Sequence, residues 1–244
     1  MDVVHATWER RNLGLEVYEA SITPSDTQET VRAGIAALPE ADYVSIKVPV
    51  AQFALSGVIE QNGFRFREQL TSVEVTQVPT LNGLQARYQK AIASRPATDQ
   101  DMKTVLEEVR SGLFQTDRFS LDARFSPEQA ANRYCGWIQD ELARGGELHA
   151  ILFKDKLAGF FLVRKTDTDR WSSLLAGVFT DFQQMGLGYF INYLAYAYCF
   201  GQGAQSVAST YSSNNLAACK IHGDLRTRLL YQSYIYARHT IAKE

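Results

Sequence analysis

The chain is short of the features that announce a chemistry outright. Its three cysteines, Cys135, Cys199 and Cys219, are odd in number and widely spaced, with no C-x-x-C pair. They suit a reducing compartment and offer no disulfide framework. Four histidines, His5, His149, His222 and His239, show no metal-ligand spacing, so no metal site is expected. The formal charge is −2, which leaves no electrostatic case for nucleic acid or an anionic membrane. The longest apolar stretch, Tyr189–Phe200, is too short and too rich in tyrosine to cross a bilayer. The opening residues, MDVVHATWERRN, lack the basic region, apolar core and small-residue cleavage site of a signal peptide. The expectation is a soluble, cytoplasmic protein.

Apolar material is not scarce. With 45% hydrophobic residues, 244 residues suffice for one large domain or two small ones. Leu15–Ile22 alternates as a strand, and Thr27–Ala37 has helical spacing with Asp26 as its N-cap. Tyr43–Val48 is strand-like, and Ala51–Gln61 is helical and stops at Asn62-Gly63. Phe64–Arg67 and Leu70–Val75 then predict two further strands. Polar, Pro-containing Gly83–Asp101 is the best boundary. The predicted organisation is a small α/β domain over 1–84, a linker over 85–100 and a second domain over 101–244.

That second part predicts helices at Asp101–Leu113 and from Ser126-Pro127 to Gly145-Gly146, the latter with an N-cap and Pro at its first position. A hairpin, Leu148–Phe153 and Leu157–Arg164, turns at Asp155-Lys156, and Ser172–Thr180 is a third strand. A glycine turn, a helix over Tyr189–Phe200, a strand at Ser206–Tyr211, a helix at Asn214–Leu225 and a strand at Leu229–Arg238 follow. Tyr43–Val75 and Ser206–Arg238 share a strand, helix, strand order, a faint internal repeat; two unrelated units read equally well. The fold class is α/β (α+β): a mixed central sheet with flanking helices.

The turn is the most informative segment. Val178–Tyr189 places Gln183, Gly186 and Gly188 in a Q-x-x-G-x-G spacing between a strand and a helix. Such a turn presents free backbone N–H groups at the positive end of a helix, an arrangement that binds phosphate. It does not end in Gly-Lys-Ser/Thr, and it lacks the third glycine and distal acid of a dinucleotide fold. An ordinary glycine-containing turn is the bland alternative. The spacing, and the element order around it, resemble the GNAT superfamily of N-acetyltransferases.

The resemblance implies acetyl-CoA as cofactor and transfer of its acetyl group to a primary amine. It implies that the strand before the turn offers Leu175, Gly177 and Val178 to the pantetheine arm, with Gly177 suited to a bulge. Gln183, Gln184, Met185, Gly186, Leu187 and Gly188 would hold the pyrophosphate. Gln183-Gln184 stands where many relatives carry Arg-Gly, so the turn loses a charge but keeps its amides. Asn215 matches the asparagine of the second cofactor motif, and a plain helix N-cap is its other reading. Seven residues later stands His222, where the superfamily usually has a tyrosine that protonates the thiolate. His222 as the acid, a nearby tyrosine such as Tyr189 or Tyr231, or no acid at all remain open. No base can be assigned; Glu147 and His149 lie on the neighbouring strand. Cys219 has no activating base beside it and is a poor nucleophile.

Further likeness runs through Thr7-Trp8-Glu9, Leu13-Gly14, Phe114–Phe119, Asp122, Phe125, Tyr134, Trp137-Ile138 and the closing Ser-Tyr-Ile-Tyr-Ala-Arg. These resemble a branch that acetylates nucleotide-linked amino-deoxy sugars for surface polysaccharides. In that case Asp117, Arg118 and Asp122 would meet sugar hydroxyls or a phosphate, and Phe119 would stack; tucking Phe119 into the core is the alternative. The implied partner is a small-molecule amine, with homodimerisation left open. A peptide, amino-acid or natural-product amine is a second acceptor class, and a non-catalytic acyl-CoA-binding domain is a third reading.

Overall fold

A computed structural model describes residues 1–240. All ten of its strands join in a single sheet. The chain begins with β1 (Asp2–His5), α1 (Thr7–Leu13), β2 (Val17–Ser21), α2 (Gln28–Ala36) and β3 (Tyr43–Pro49). A 3-10 turn over Val50–Leu55 leads into α3 (Ser56–Gln61), β4 (Arg65–Val75), α4 (Gly83–Gln89) and β5 (Ile92–Pro96). Next come α5 (Asp99–Arg110), α6 (Pro127–Ala143), β6 (Glu147–Phe153), β7 (Lys156–Lys165) and β8 (Arg170–Val178). The chain closes with α7 (Leu187–Gly201), β9 (Ser206–Ser212), α8 (Leu216–Asp224) and β10 (Arg228–His239). The strand order is β1-β2-β3-β10-β4-β9-β8-β7-β6-β5. Only β2 with β3 and β8 with β9 run parallel.

Several local expectations are corrected. Thr27, not Asp26, caps α2, through a reciprocal box with Thr30, while Asp26 binds the N-terminal ammonium at 2.7 Å. The two short strands expected at Phe64–Arg67 and Leu70–Val75 are one strand, β4, nine of whose eleven residues pair with β10. Segment 85–100, expected as linker, holds most of α4 and all of β5, which pairs with β6 from Ile92↔Phe153 to Pro96↔His149. The hairpin turn is Lys154-Asp155, both at positive φ (48° and 65°), one residue earlier than expected.

The faint repeat takes a definite form. In the order β3-β10-β4-β9, β10 lies between β3 and β4, and β4 lies between β10 and β9. Each copy's second strand thus fills the gap between the strands of the other, and neither pair is a free-standing hairpin. The core follows this division. Val31, Ile35, Val58 and Ile59 of α2 and α3 pack on β3 and Tyr236 of β10. Leu187, Ile191, Ala195 and Cys199 of α7 cover one face of β7–β9, and Val105, Val109, Cys135 and Ile138 of α5 and α6 pack on Leu148, Phe160 and Leu162 of β6 and β7. Among the described residues no helix is long and apolar enough to cross a membrane, and no group of three or more His, Cys, Asp or Glu could hold a metal ion.

Candidate active site

Strand β8 pairs with β7 from Trp171↔Lys165 to Val178↔Gly159, but with β9 only from Arg170↔Ser206 to Ser173↔Ser209. Beyond that point β9 continues against β4 as far as Ser212↔Leu70, so the two parallel strands part. Leu174 is the extra residue where the β7–β8 register shifts, between Val163↔Ser173 and Leu162↔Leu175. A bulge bends its strand and sharpens its twist, which opens the gap. Gly177, expected to be the bulge, is regularly paired and small for another reason. A Cβ there would stand 2.8 Å from both Leu113 Cδ2 and Phe160 Cε1.

A cavity of about 1230 Å³ passes through this opening. One end is walled by Leu175, Gly177 and Val178, by Gln183, Gln184, Gly186, Leu187 and Gly188, and by Asn215 and His222. The turn enters α7 with Gln184 at φ 67° and Gly186 at φ 73°, ψ 9°. Gly186 is the N-cap residue and supplies no side-chain acceptor, so the first-turn N–H groups of α7 lack that partner. Free N–H groups at the positive end of a helix suit an anion. Gly188 lets α7 approach α8, since a Cβ would meet Ile221 Cδ1 at 2.9 Å. Met185 is not on the wall; its side chain is exposed, and its carbonyl accepts a hydrogen bond from Tyr88 of α4 at 2.7 Å. Leu187 buries its side chain in the core and can offer only backbone. Asn215 caps α8, Oδ1 accepting from Ala218 N at 2.9 Å, and faces the cavity as well.

His222 lies 4% exposed, its Nδ1 3.3 Å from the Tyr196 hydroxyl and its ring stacked on Tyr211 at 4.7 Å and 10°. Burial without a neighbouring carboxylate pushes its pKa down to about 4. That value favours the neutral ring near pH 7 and weighs, among the open readings of the acid, against an imidazolium at His222. Tyr211 also lines the cavity, a phenol that sequence reasoning passed over because it lies on β9 rather than on the expected helix. Tyr231 is half exposed. Tyr189 reaches the wall from the first turn of α7. Glu147 and His149 do not reach it; Tyr198 of α7 hydrogen-bonds Glu147 and packs on His149.

The other end of the cavity lies between α1, β4 and α6, and two of the four proposed acceptor residues reach it. Asp117 lines it, while its Oδ1 accepts from the backbone of Phe119 and Ser120 at 2.8 and 2.7 Å. Arg118 lines it too, but is bound to Glu68 at 2.9 Å and Glu19 at 3.5 Å. Phe119 is 1% exposed, against Tyr43 and Phe125 in the core, and is no stacking platform. Asp122 is buried against His239 Nε2 at 2.9 Å and Arg67 at 3.2 Å, away from the wall. Trp8, Glu9, Glu68, Tyr134 and Trp137 form this end and had no assigned role. Trp8-Glu9, Tyr134 and Trp137 lay in segments of family likeness, a usable signal; Glu68 carried none.

No family model matches the sequence, and no curated protein matches it closely enough to name a relative. Solved structures do match the fold. A GCN5-related N-acetyltransferase from Sphaerobacter thermophilus is similar at TM-score 0.60 and 12% identity, over 83% of this chain and 61% of that one. The chain thus spans less than two thirds of that protein. A GCN5-related N-acetyltransferase from Kribbella flavida matches at TM-score 0.55 and 12% identity, over 93% and 82% of the two chains. A tandem GNAT protein from the clavulanic acid biosynthesis pathway matches at TM-score 0.50 and 11% identity, over 89% and 68%. At these identities the likeness is one of architecture: a large mixed sheet with flanking helices. The chain has the fold of the GCN5-related N-acetyltransferases.

Proposed function

We propose that the chain is an acetyl-CoA-dependent N-acetyltransferase acting on a primary amine. The observation that carries this reading is the cavity running through the β8–β9 opening, from the uncapped start of α7 to the pocket beside α1 and α6. Acetyl-CoA would supply the acyl thioester. The amides of Gln183–Gly188 would hold its pyrophosphate, and Leu175, Gly177, Val178 and Asn215 its pantetheine arm. In direct transfer within a ternary complex, the amine nitrogen bonds to the acetyl carbon as the carbon–sulfur bond breaks. The amine gives up a proton and the thiolate gains one. A thiol pKa of ~8.5 makes the thiolate a fair leaving group. His222 would contribute as a neutral ring that supports Tyr211, and the Tyr211 phenol, which lines the cavity, would supply the proton to the thiolate.

For the acceptor we propose the amino group of a nucleotide-linked amino-deoxy sugar, on the chain's resemblance to dTDP-fucosamine acetyltransferase. Residues 1–84 then serve as a buttress with degenerate half-GNAT character, contributing Trp8, Glu9 and Glu68 to the acceptor end, and 101–244 as the catalytic part. The test is coenzyme A release by the purified full chain with acetyl-CoA and a panel of amines that includes dTDP-4-amino-4,6-dideoxygalactose. Turnover with other amines but not with the nucleotide sugar removes the sugar reading. The neutral state of His222 favours a second reading, acyl-CoA binding without transfer. Acetyl-CoA binding with no release against any amine would establish it.

A further inference from the structure

The α1–β4–α6 end of the cavity is built around two buried ion pairs. Glu68, Leu70 and Ser72 alternate along β4 and present one face to the cavity. Glu68 is 1% exposed; its Oε1 accepts from Arg118 at 2.9 Å, and its Oε2 has no hydrogen-bond partner within the protein. Glu9 is fully buried, held by Arg133 at 2.8 Å and by Asn12 at 3.4 Å. The Phe119 ring stacks against both guanidiniums, at 4.7 Å from Arg118 and 4.1 Å from Arg133. Both arginines are thereby engaged with carboxylates and with one aromatic face.

The charge balance points the same way. Six carboxylates, Glu9, Glu19, Glu68, Asp117, Asp140 and Glu141, line this end against the three guanidiniums of Arg118, Arg133 and Arg144. Negative charge in a low-dielectric wall favours a cation, and a buried carboxylate oxygen without a donor costs about 1–3 kcal/mol or more until one arrives. We propose that this end takes the acceptor as a cation, an ammonium on a polar, uncharged ring, with the ammonium donating to Glu68 Oε2. Trp8 and Trp137, on the same wall, cover the apolar face of that ring. The inference rests on the acetyl-transfer reading and narrows its acceptor. In a nucleotide-linked acceptor the sugar occupies this end and the diphosphate stays outside it.

Calorimetric titration of the full chain saturated with coenzyme A tests this without turnover, using glucosamine against glucose and N-acetylglucosamine as probes. Glucosamine should bind roughly tenfold more tightly than either, the size of one hydrogen bond to a charged group. Glu68→Gln should abolish the preference while acetyl-CoA affinity stays within about twofold; Glu68→Asp, which keeps the charge, should retain part of it. No preference in the wild-type protein, or a preference that survives Glu68→Gln, overturns the proposal. If Glu68→Gln fails to fold, the wild-type preference and Glu68→Asp decide it. Preferential binding without acetylated product sinks the transferase reading and leaves this inference standing. Acetylation of an amine with no ammonium preference sinks the inference alone.

Discussion

Ser173 and Ser209 face each other as the last partners shared by β8 and β9. Past them, β8 leans only on β7 and on what packs over it, and at Gly177 that packing leaves no room for a side chain: Leu113 and Phe160 would each lie 2.8 Å from a Cβ, and Phe114 3.4 Å. Gly177→Val should therefore overpack the wall of the opening. We expect a loss of about 1–3 kcal/mol in denaturant unfolding together with weaker acetyl-CoA binding. Unchanged unfolding and affinity would contradict the tight packing.

The turn before α7 is a backbone device. A Cβ at Gly186 would meet nothing within 4 Å, so space is not the constraint; φ of 73° is. A β-branched residue there should raise the acetyl-CoA dissociation constant about tenfold or more, at a strain of roughly 1–2 kcal/mol. Calorimetry on Gly186→Val is the check, and an unaltered constant would count against a phosphate-binding turn.

Tyr88 pins that turn from outside, its hydroxyl bonded to the Met185 carbonyl at 2.7 Å. Tyr88→Phe removes one hydrogen bond and none of the ring packing on Phe153 and Phe190. Coenzyme A affinity should drop roughly three- to tenfold, the worth of about 1 kcal/mol, with the unfolding midpoint little changed. Equal affinities would show that the turn holds its shape without the tether.

His222 makes a prediction about pH. Its folded pKa, about 4, lies below the ordinary value of 6.5, so the unfolded chain binds the extra proton. The stability contributed by the neutral buried ring is complete above pH 6.5 and is lost as the pH falls towards 4. The difference between wild type and His222→Phe in urea unfolding should change by at most about 3 kcal/mol across that window. His149 and His239 are also lowered by burial, which is why the comparison with the variant is needed. In turnover, His222→Phe should leave the alkaline limb in place, whereas Tyr211→Phe should slow the reaction roughly tenfold and alter that limb. An alkaline limb that moves in His222→Phe would return the acid role to the histidine.

Removal of residues 1–84 should do more than trim the acceptor side. Strand β10 pairs with β3 along Ser233–His239 and with β4 along Arg228–Ala237, and both partners would be gone. The truncated chain should lack cooperative thermal unfolding. A folded 85–244 fragment that still binds acetyl-CoA would show that the C-terminal half closes its own sheet.

The glycine turn and the element order were legible because each rests on local rules. Gly186 needs a left-handed φ, and Ser126 and Pro127 open a helix by capping and by a preset φ. Segment 85–100 was misread because β5 is a short edge strand, half polar, whose strand character comes from pairing with β6. Thr98 and Asp101 close a capping box there, and Arg95 salt-bridges Asp101 at 2.5 Å, so residues that looked like a loop are anchored.

What the sequence determined by itself is the set of local conformations: where helices start, where φ must be positive, and which faces are apolar. It does so because those preferences depend on neighbours within a few residues. The partners that only long-range folding can supply were decided by the tertiary structure. It places β10 between β3 and β4, opens the sheet after Ser173 and Ser209, and buries His222 beyond reach of a carboxylate. It also brings Glu9, Glu68, Arg118 and Arg133, up to 124 residues apart, around one aromatic ring. Charge, burial and proton affinity are properties of such assemblies, since the dielectric and the hydrogen-bond donors around a group come from segments remote in the chain.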